Sequence, residues 1–223
     1  MFGEPFDSLP ESDDVTPSVQ NGRDTARARK SATYELFVLG ELMDGPHHGY
    51  QLREILSNML GPFRQMSWGV LYPLIRQLEH EGFIVSDIGA NTEHREGSAP
   101  SNRQRKQYRL TETGRERFHA LMMERGDYTA DYRELFLLKL NNFDHISQEQ
   151  QLTLLRHYWG YLQIEDFYLQ RGQQHVSIHP GVPDAQRAHI LRIIDFRQSS
   201  VQAEMHWIAE QIANGEKGSE TMP

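Results

Sequence analysis

With 223 residues, 38% of them hydrophobic, and no cysteine, the chain can bury a real core but can form no disulfide, thiol redox centre or cysteine-ligated zinc site. No apolar run approaches the roughly 20 residues that span a bilayer, and the first residues lack the basic-then-apolar order of a signal peptide, so a cytoplasmic protein away from membranes is expected. The formal charge of −8 argues against nucleic acid until its distribution is read: Arg95, Arg103, Arg105, Lys106, Arg109, Arg115 and Arg117 meet only Glu96, Glu112 and Glu116 in one stretch, a basic region able to neutralise phosphates.

Residues 1–31 are rich in Pro, Ser, Gly, Asp and Glu with no apolar period, and a disordered leader is expected there. Its basic end, Arg23 to Lys30, has two readings, an arm for a minor groove or a solvated tail. A first helix begins near Thr33, carries Tyr34, Leu36, Phe37, Val38, Leu39, Leu42 and Met43, and stops at Asp44-Gly45-Pro46; Gly and Pro there cannot continue it. A second helix runs from about His48 to Leu60, with Leu52, Ile55, Leu56 and Met59 at the spacing of one buried face. The third starts near Ser67, repeats that spacing with Leu71, Leu74, Ile75 and Leu78, and closes at Gly82 in a left-handed cap. The period then changes to that of strands at Phe83-Ile84-Val85 and Gln107-Tyr108-Arg109-Leu110, joined by a polar loop from about 91 to 102. Thr111 offers an N-cap oxygen to a fourth helix through Phe118, Leu121 and Met122. Helix, helix, helix and hairpin is the order of a winged helix-turn-helix.

From about Tyr132 the chain reads as helical. Ser147 and Gln150 form a capping box ahead of Leu152, Leu155, Trp159 and Leu162, and Pro180-Gly181-Val182-Pro183-Asp184 breaks the chain before a last helix. In that helix Leu191, Ile194, Val201, Met205, Ile208 and Ile212 follow a heptad-like seam interrupted by Gln198. Such a seam requires a partner helix, expected from a second chain, with Gln198 able to fix register. The expected fold is therefore mainly α with a small β-hairpin wing, a winged helix-turn-helix plus a C-terminal helical dimerisation region. Its expected divisions are a leader over 1–31, a DNA-binding domain over 32–125 and a dimerisation and effector domain over 126–223.

The third helix splits into two faces. Its leucine and isoleucine face packs inward, which leaves Trp68, Gly69, Tyr72, Pro73 and Arg76 pointing outward, and exposed aromatics on a short helix ask for a partner surface. In a helix-turn-helix the start of this helix enters the major groove, where side chains reach base edges and free amides meet phosphates. Ser67, Trp68 and Gly69 occupy that end; Gly69 permits close backbone approach, Tyr72 can donate to a phosphate, and Arg76 can contact phosphate or guanine. Pro73 removes one helical hydrogen bond a turn past the start. The alternative, that Trp68 and Tyr72 pack on the domain's own wing, stays open. His48, Tyr50 and Gln51 open the second helix where a phosphate can be held, and Arg103, Arg105 and Lys106 place charge at the wing tip, unless that tip is simply a solvated loop.

These residues carry a family resemblance. Gly69-Val70-Leu71-Tyr72-Pro73-Leu74-Ile75-Arg76-Gln77-Leu78-Glu79-His80-Glu81-Gly82-Phe83-Ile84 resembles the recognition-helix signature of the PadR family of bacterial regulators. His48-Gly49-Tyr50-Gln51-Leu52 upstream and Arg105 through Arg115 downstream are similar to the family's other motifs in the same order, so the resemblance covers about 33–118. The helical remainder is similar in pattern and length to the dimerisation region of the larger PadR subgroup. The resemblance implies a homodimer on a pseudo-palindromic duplex operator, acting as a repressor that a small molecule releases. Trp68 at the helix start, the long leader and the long wing loop depart from the commoner pattern, so no operator sequence carries over.

Other classes find less support. None of the 11 histidines falls in a metal spacing with supporting carboxylates, and there is no Gly-rich phosphate loop, Gly-x-Ser-x-Gly elbow or cysteine nucleophile, so no enzyme, cofactor or metal is expected. A winged module that binds protein instead of DNA would need no basic wing. Among the tail aromatics, Tyr158, Trp159, Tyr161 and Trp207 have two readings, core and dimer seam or a candidate pocket for a flat aromatic effector.

Overall fold

A computed structural model describes residues 32–61, 67–88 and 106–220. The expected leader and the wing-tip residues Arg103 and Arg105 lie outside them. The first helix, α1, spans 32–41. Leu36, Phe37, Val38 and Leu39 are all buried, which is why its apolar residues follow no single stripe: a helix packed on all sides shows none.

Residues His47–His48 (β1) precede α2 (Gly49–Leu60), and α3 covers Trp68–His80. Leu52 and Leu56 of α2 and Leu71, Leu74, Ile75 and Leu78 of α3 point into one core with α1. Gly82 ends α3 at φ +78, a value that favours glycine, and the Phe83 amide then bonds back to the Leu78 carbonyl at 3.0 Å. That bond holds Phe83 out of the sheet, so β2 runs over Ile84–Ile88 and pairs antiparallel with β3, Lys106–Leu110, in the register Ile84 to Leu110. The wing differs from a plain hairpin. His47 and His48 pair with Tyr108 and Gln107, giving a three-stranded sheet of order β1-β3-β2, because the N-cap of α2 is extended (φ −81, ψ 150 at His48) and meets the open edge of β3.

Helix α4 (Glu112–Met123) starts at Thr111, whose hydroxyl oxygen accepts from the Gly114 amide at 3.0 Å. Gly114 lies so close to β2 that a Cβ there would meet the Phe83 carbonyl oxygen at 2.1 Å. Helix α5 (Tyr132–Asn141) and a 3₁₀ turn at Phe143–His145 lead to α6 (Gln148–Ile178), opened by the Ser147–Gln150 capping box. Helix α7 (Asp184–Glu220) returns antiparallel along α6, with Gln148 bonded to the Gly215 carbonyl at one end and Gln198 to Asp166 at 3.3 Å midway. At the turn Arg187 donates to the carbonyls of Ser177 (2.9 Å), His179 (3.2 Å) and Val182 (2.9 Å), a cation closing a helix C-terminus.

Among the described residues, the buried apolar side chains form two clusters. One joins α1 to α4, the sheet, Leu138, Ile146 and Leu154; the other joins α5, α6 and α7 through Phe136, Tyr158, Leu162, Val201 and Ile208. Leu135 and Phe143 touch both. The α7 seam differs from the intermolecular one expected: Ile194, Val201, Met205, Ile208 and Ile212 pack against α6 of the same chain, and Leu191 is half-buried near the turn. Heptad spacing specifies a helical partner without saying whose it is, and the Pro180–Pro183 turn supplies one by folding the chain back. No helix among the described residues is long and apolar enough to cross a membrane.

Candidate nucleic-acid interface

The outer faces of α2 and α3 form one surface. Because Leu71, Leu74, Ile75 and Leu78 fix how α3 rolls, Ser67, Trp68, Gly69, Tyr72, Pro73 and Arg76 are all exposed. Trp68 keeps 43% of its surface and Tyr72 45%, with Tyr50 of α2 at 44%. None of the three is sealed against the wing. Ser67 caps α3 in an extended conformation with no side-chain bond to the first turn, so that turn's leading amides are open to an anion. Pro73 has no N–H to give the Gly69 carbonyl one turn back. A Cβ on Gly69 would meet only the Ser67 Oγ, at 3.8 Å, so nothing within the described chain requires glycine at that helical position.

Two guanidinium groups lie over rings on this surface. Arg76 Cζ is 4.6 Å from the Tyr72 ring centroid and its Nη2 donates to the Tyr72 hydroxyl at 3.3 Å. Arg53 Cζ, from α2, is 4.9 Å from the Trp68 ring centroid. Arg53 and the exposed Val70 were not singled out by sequence. Arg53 lies off the Leu52–Leu56 face of α2, which marks it as exposed, but its proximity to Trp68 depends on how two helices pack.

The start of α2 is more internally committed than its sequence suggests. His48 donates its backbone N–H to Gln51 Oε1 at 2.8 Å, and its Nδ1 is 3.1 Å from the Lys106 carbonyl. Its ring stacks on Tyr50 at 5.6 Å. These contacts tie α2 to the wing. Lys106 Nζ lies 3.4 Å from Glu79, whose carboxyl is held below the usual range first by the Ser86 hydroxyl and then by Lys106. Arg109 pairs with Asp87 at 2.5 Å and Arg117 with Glu35 at 2.7 Å. Lys106 and Arg109, the cations of the described wing strands, are thus already compensated.

In the tail, Tyr158 is buried, stacked on Phe136 at 3.8 Å, and donates its hydroxyl to Glu204 at 2.6 Å. Burial, then the Glu204 contact, pushes that phenol far above its usual range. Arg133 bridges Glu204 and Glu165 at 3.0 Å each, and Arg197 also reaches Glu165. Tyr158 and Trp207 line a groove of about 450 Å³ with Phe136, Leu137, Leu140 and Ala203; Trp159 and Tyr161 pack on the core outside that lining. Asp44, Asp144 and His145 also converge, with His145 Nε2 3.1 Å from Asp44, and both carboxylates are exposed.

Residues 38–120 match the family model of the transcriptional regulator PadR-like family. The negative transcriptional regulator PadR of Bacillus subtilis is 24% identical over 119 residues, which is 53% of this chain and 61% of that protein. Among solved structures, Bacillus subtilis PadR in complex with operator DNA is similar at 18% identity and a TM-score of 0.36, covering 81% of this chain and 98% of that one. The same protein in complex with p-coumaric acid is similar at 18% identity and a TM-score of 0.35, over 82% and 99% of the two chains.

Proposed function

We propose, from the premise that residues 38–120 make this chain a member of the PadR-like family of transcriptional regulators, that it is a cytoplasmic repressor that binds a pseudo-palindromic duplex operator as a homodimer. The observation that carries the reading is the division of α3: one face is buried to the last leucine, and the other holds Trp68, Tyr72 and Arg76 in solvent. The start of α3 enters the major groove with Ser67 and Gly69 nearest the duplex, Tyr72 and Arg76 behind them, and Tyr50 beside a phosphate. Lys106, Arg103 and Arg105 belong to the flanking wing contact. The working division is the DNA-binding part over 32–125 and the dimerisation and effector part over 126–223.

For the dimer, the α7 face opposite α6 supports self-association. Ile193, Phe196, Ser200, Ala203 and Trp207 recur there at heptad-like spacing, and Ile193, Phe196 and Trp207 are exposed. The seam from Leu191 to Ile212 then braces this outer face from behind. The groove walled by Tyr158 and Trp207 is the candidate seat of a small aromatic effector.

Selection of bound duplexes from a random pool by the full chain tests the function. An enriched sequence with two-fold symmetry, bound with an affinity that falls steeply as salt rises, is the expected result. A pool that stays unenriched overturns the reading.

A further inference from the structure

Arg53 stands apart from most other cations of the α2, α3 and wing surface. Lys106 and Arg109 of the wing each face a carboxylate, whereas Arg53 has no ion pair among the described residues and no acid one helical turn away in either direction: Gly49, Tyr50, Leu56 and Ser57 occupy those positions. Its guanidinium is laid over the indole of Trp68 instead. The indole is itself set against α2, since a Cβ on Gly49 would lie 3.9 Å from its Cζ3. Trp68 therefore spans Gly49 and Arg53, one turn apart on α2, from the first turn of α3.

We infer that Arg53 is a phosphate-contacting residue of this protein and that Trp68 is its positioning residue, a flat platform that holds the guanidinium beside the entry of α3. This rests on the proposed duplex binding. In a helix-turn-helix the helix before the reading helix crosses the sugar-phosphate backbone, and Arg53 is the cation of α2 on that side. Arginine's planar fork suits both partners, since it stacks on an aromatic face and still presents N–H donors at its edge to phosphate oxygens. A long free side chain would lose rotamer freedom on binding, and the ring has already restrained it. The indole thereby acts through the arginine, and its exposure does not make it a reader of bases.

The test uses the full-length protein, a labelled duplex of about 30 base pairs selected by it, and binding curves over a salt series for Arg53→Gln, Trp68→Phe, Trp68→Leu and the Arg53→Gln/Trp68→Leu double variant. Arg53→Gln is expected to weaken binding about tenfold and to reduce the salt slope by about one unit per bound protomer. Trp68→Phe, which keeps an aromatic face, should stay within about threefold of the parent. Trp68→Leu should lose as much as Arg53→Gln, and the double variant no more than either. An Arg53→Gln protein with unchanged affinity and slope overturns the assignment; losses that add in the double variant overturn the platform role. Should Trp68→Leu not fold, Arg53→Gln still decides the phosphate contact, and a loss in Trp68→Phe as large as that in Arg53→Gln overturns the aromatic-platform role. Parent protein that binds no duplex in a salt-dependent way sinks the proposed function itself, a result distinct from a failure of Arg53 alone.

Discussion

Arg76 leans across Tyr72 one turn earlier on α3, its Cζ 4.6 Å from the ring centroid and its Nη2 3.3 Å from the hydroxyl. The pair presents one hydroxyl and one cation as a unit. Removing the hydroxyl by Tyr72→Phe keeps the ring and the stacking, so operator affinity should fall only about three- to tenfold. Arg76→Ala removes the charge and should cost about ten- to a hundredfold, near 1–3 kcal/mol if it reads a base edge. Fluorescence anisotropy on the selected duplex, with thermal unfolding as a control, measures both. Two unchanged binding curves would take these residues out of the interface.

Gly69 separates stability from binding. It is an exposed, helical glycine with nothing near its missing Cβ except the Ser67 hydroxyl. Gly69→Ala should therefore stabilise the fold by about 0.5–1 kcal/mol while weakening duplex binding through the methyl group now facing the groove. The pair of measurements is unfolding midpoint and operator affinity. A variant that is both more stable and equally tight would show that the backbone does not approach the duplex there.

Gly114 has the opposite logic. Its Cβ would lie 2.1 Å from the Phe83 carbonyl oxygen and 2.8 Å from Leu110 Cδ1, and the first is backbone that the α3 cap and the start of β2 both hold in place. Gly114→Ala should destabilise by about 2–4 kcal/mol and displace the wing from α3. Chemical denaturation gives the magnitude. A loss below about 0.5 kcal/mol would mean that α4 shifts freely on the sheet.

What sequence alone can yield follows from range. The roll of α3 was legible because all of its determinants lie in one stretch: a cap at Ser67, four apolar positions and Gly82. Strand β1 was not, since two residues carry no period and pair only after Tyr108 and Gln107 have been brought beside them. The same holds for Arg53 over Trp68, and for Arg133 and Tyr158 meeting Glu204 from 71 and 46 residues away. Spacing on α7 revealed that a helix must cover the seam, yet α6 and a second chain satisfy that pattern equally well.

The outer face of α7 can be separated from that seam by mutation. Phe196 is 73% exposed and Val201 is buried against α6. Phe196→Ser should weaken self-association at least tenfold, the scale of one buried aromatic lost from a contact, with little change in monomer unfolding. Val201→Ser should instead lower stability by about 2–4 kcal/mol. Sedimentation velocity over a concentration series distinguishes them, and a Phe196→Ser protein as dimeric as the parent would move the interface elsewhere.

Lys139 ties stability to pH. It is 3% exposed, packed between α1, α4 and α5, with Nζ donating to the Glu124 carbonyl at 2.7 Å. Burial, only partly offset by the Glu124 carboxylate, brings its amine down to about 8 from an ordinary 10.5. Below pH 8 the lysine is charged in both folded and unfolded chains, and the fold carries the cost of burying that charge. Between about 8 and 10.5 the folded chain has released the proton and the unfolded chain still holds it, so stability rises with pH across that window, by at most about 1.4 kcal/mol per unit. The buried phenols of Tyr132 and Tyr158 act the other way, because burial raises them, but they take effect only once unfolded tyrosine begins to ionise near pH 10. Unfolding free energy should therefore climb by roughly 2 kcal/mol from pH 8 to pH 10. In Lys139→Met the same interval should be flat and the neutral-pH stability higher by about 1–2 kcal/mol, since the straight apolar side chain fills the space and water can reach the exposed Glu124. Denaturant titrations at half-unit pH steps measure both, and a parent profile that is level or falling between pH 8 and 10 would mean that Lys139 titrates as a solvated amine.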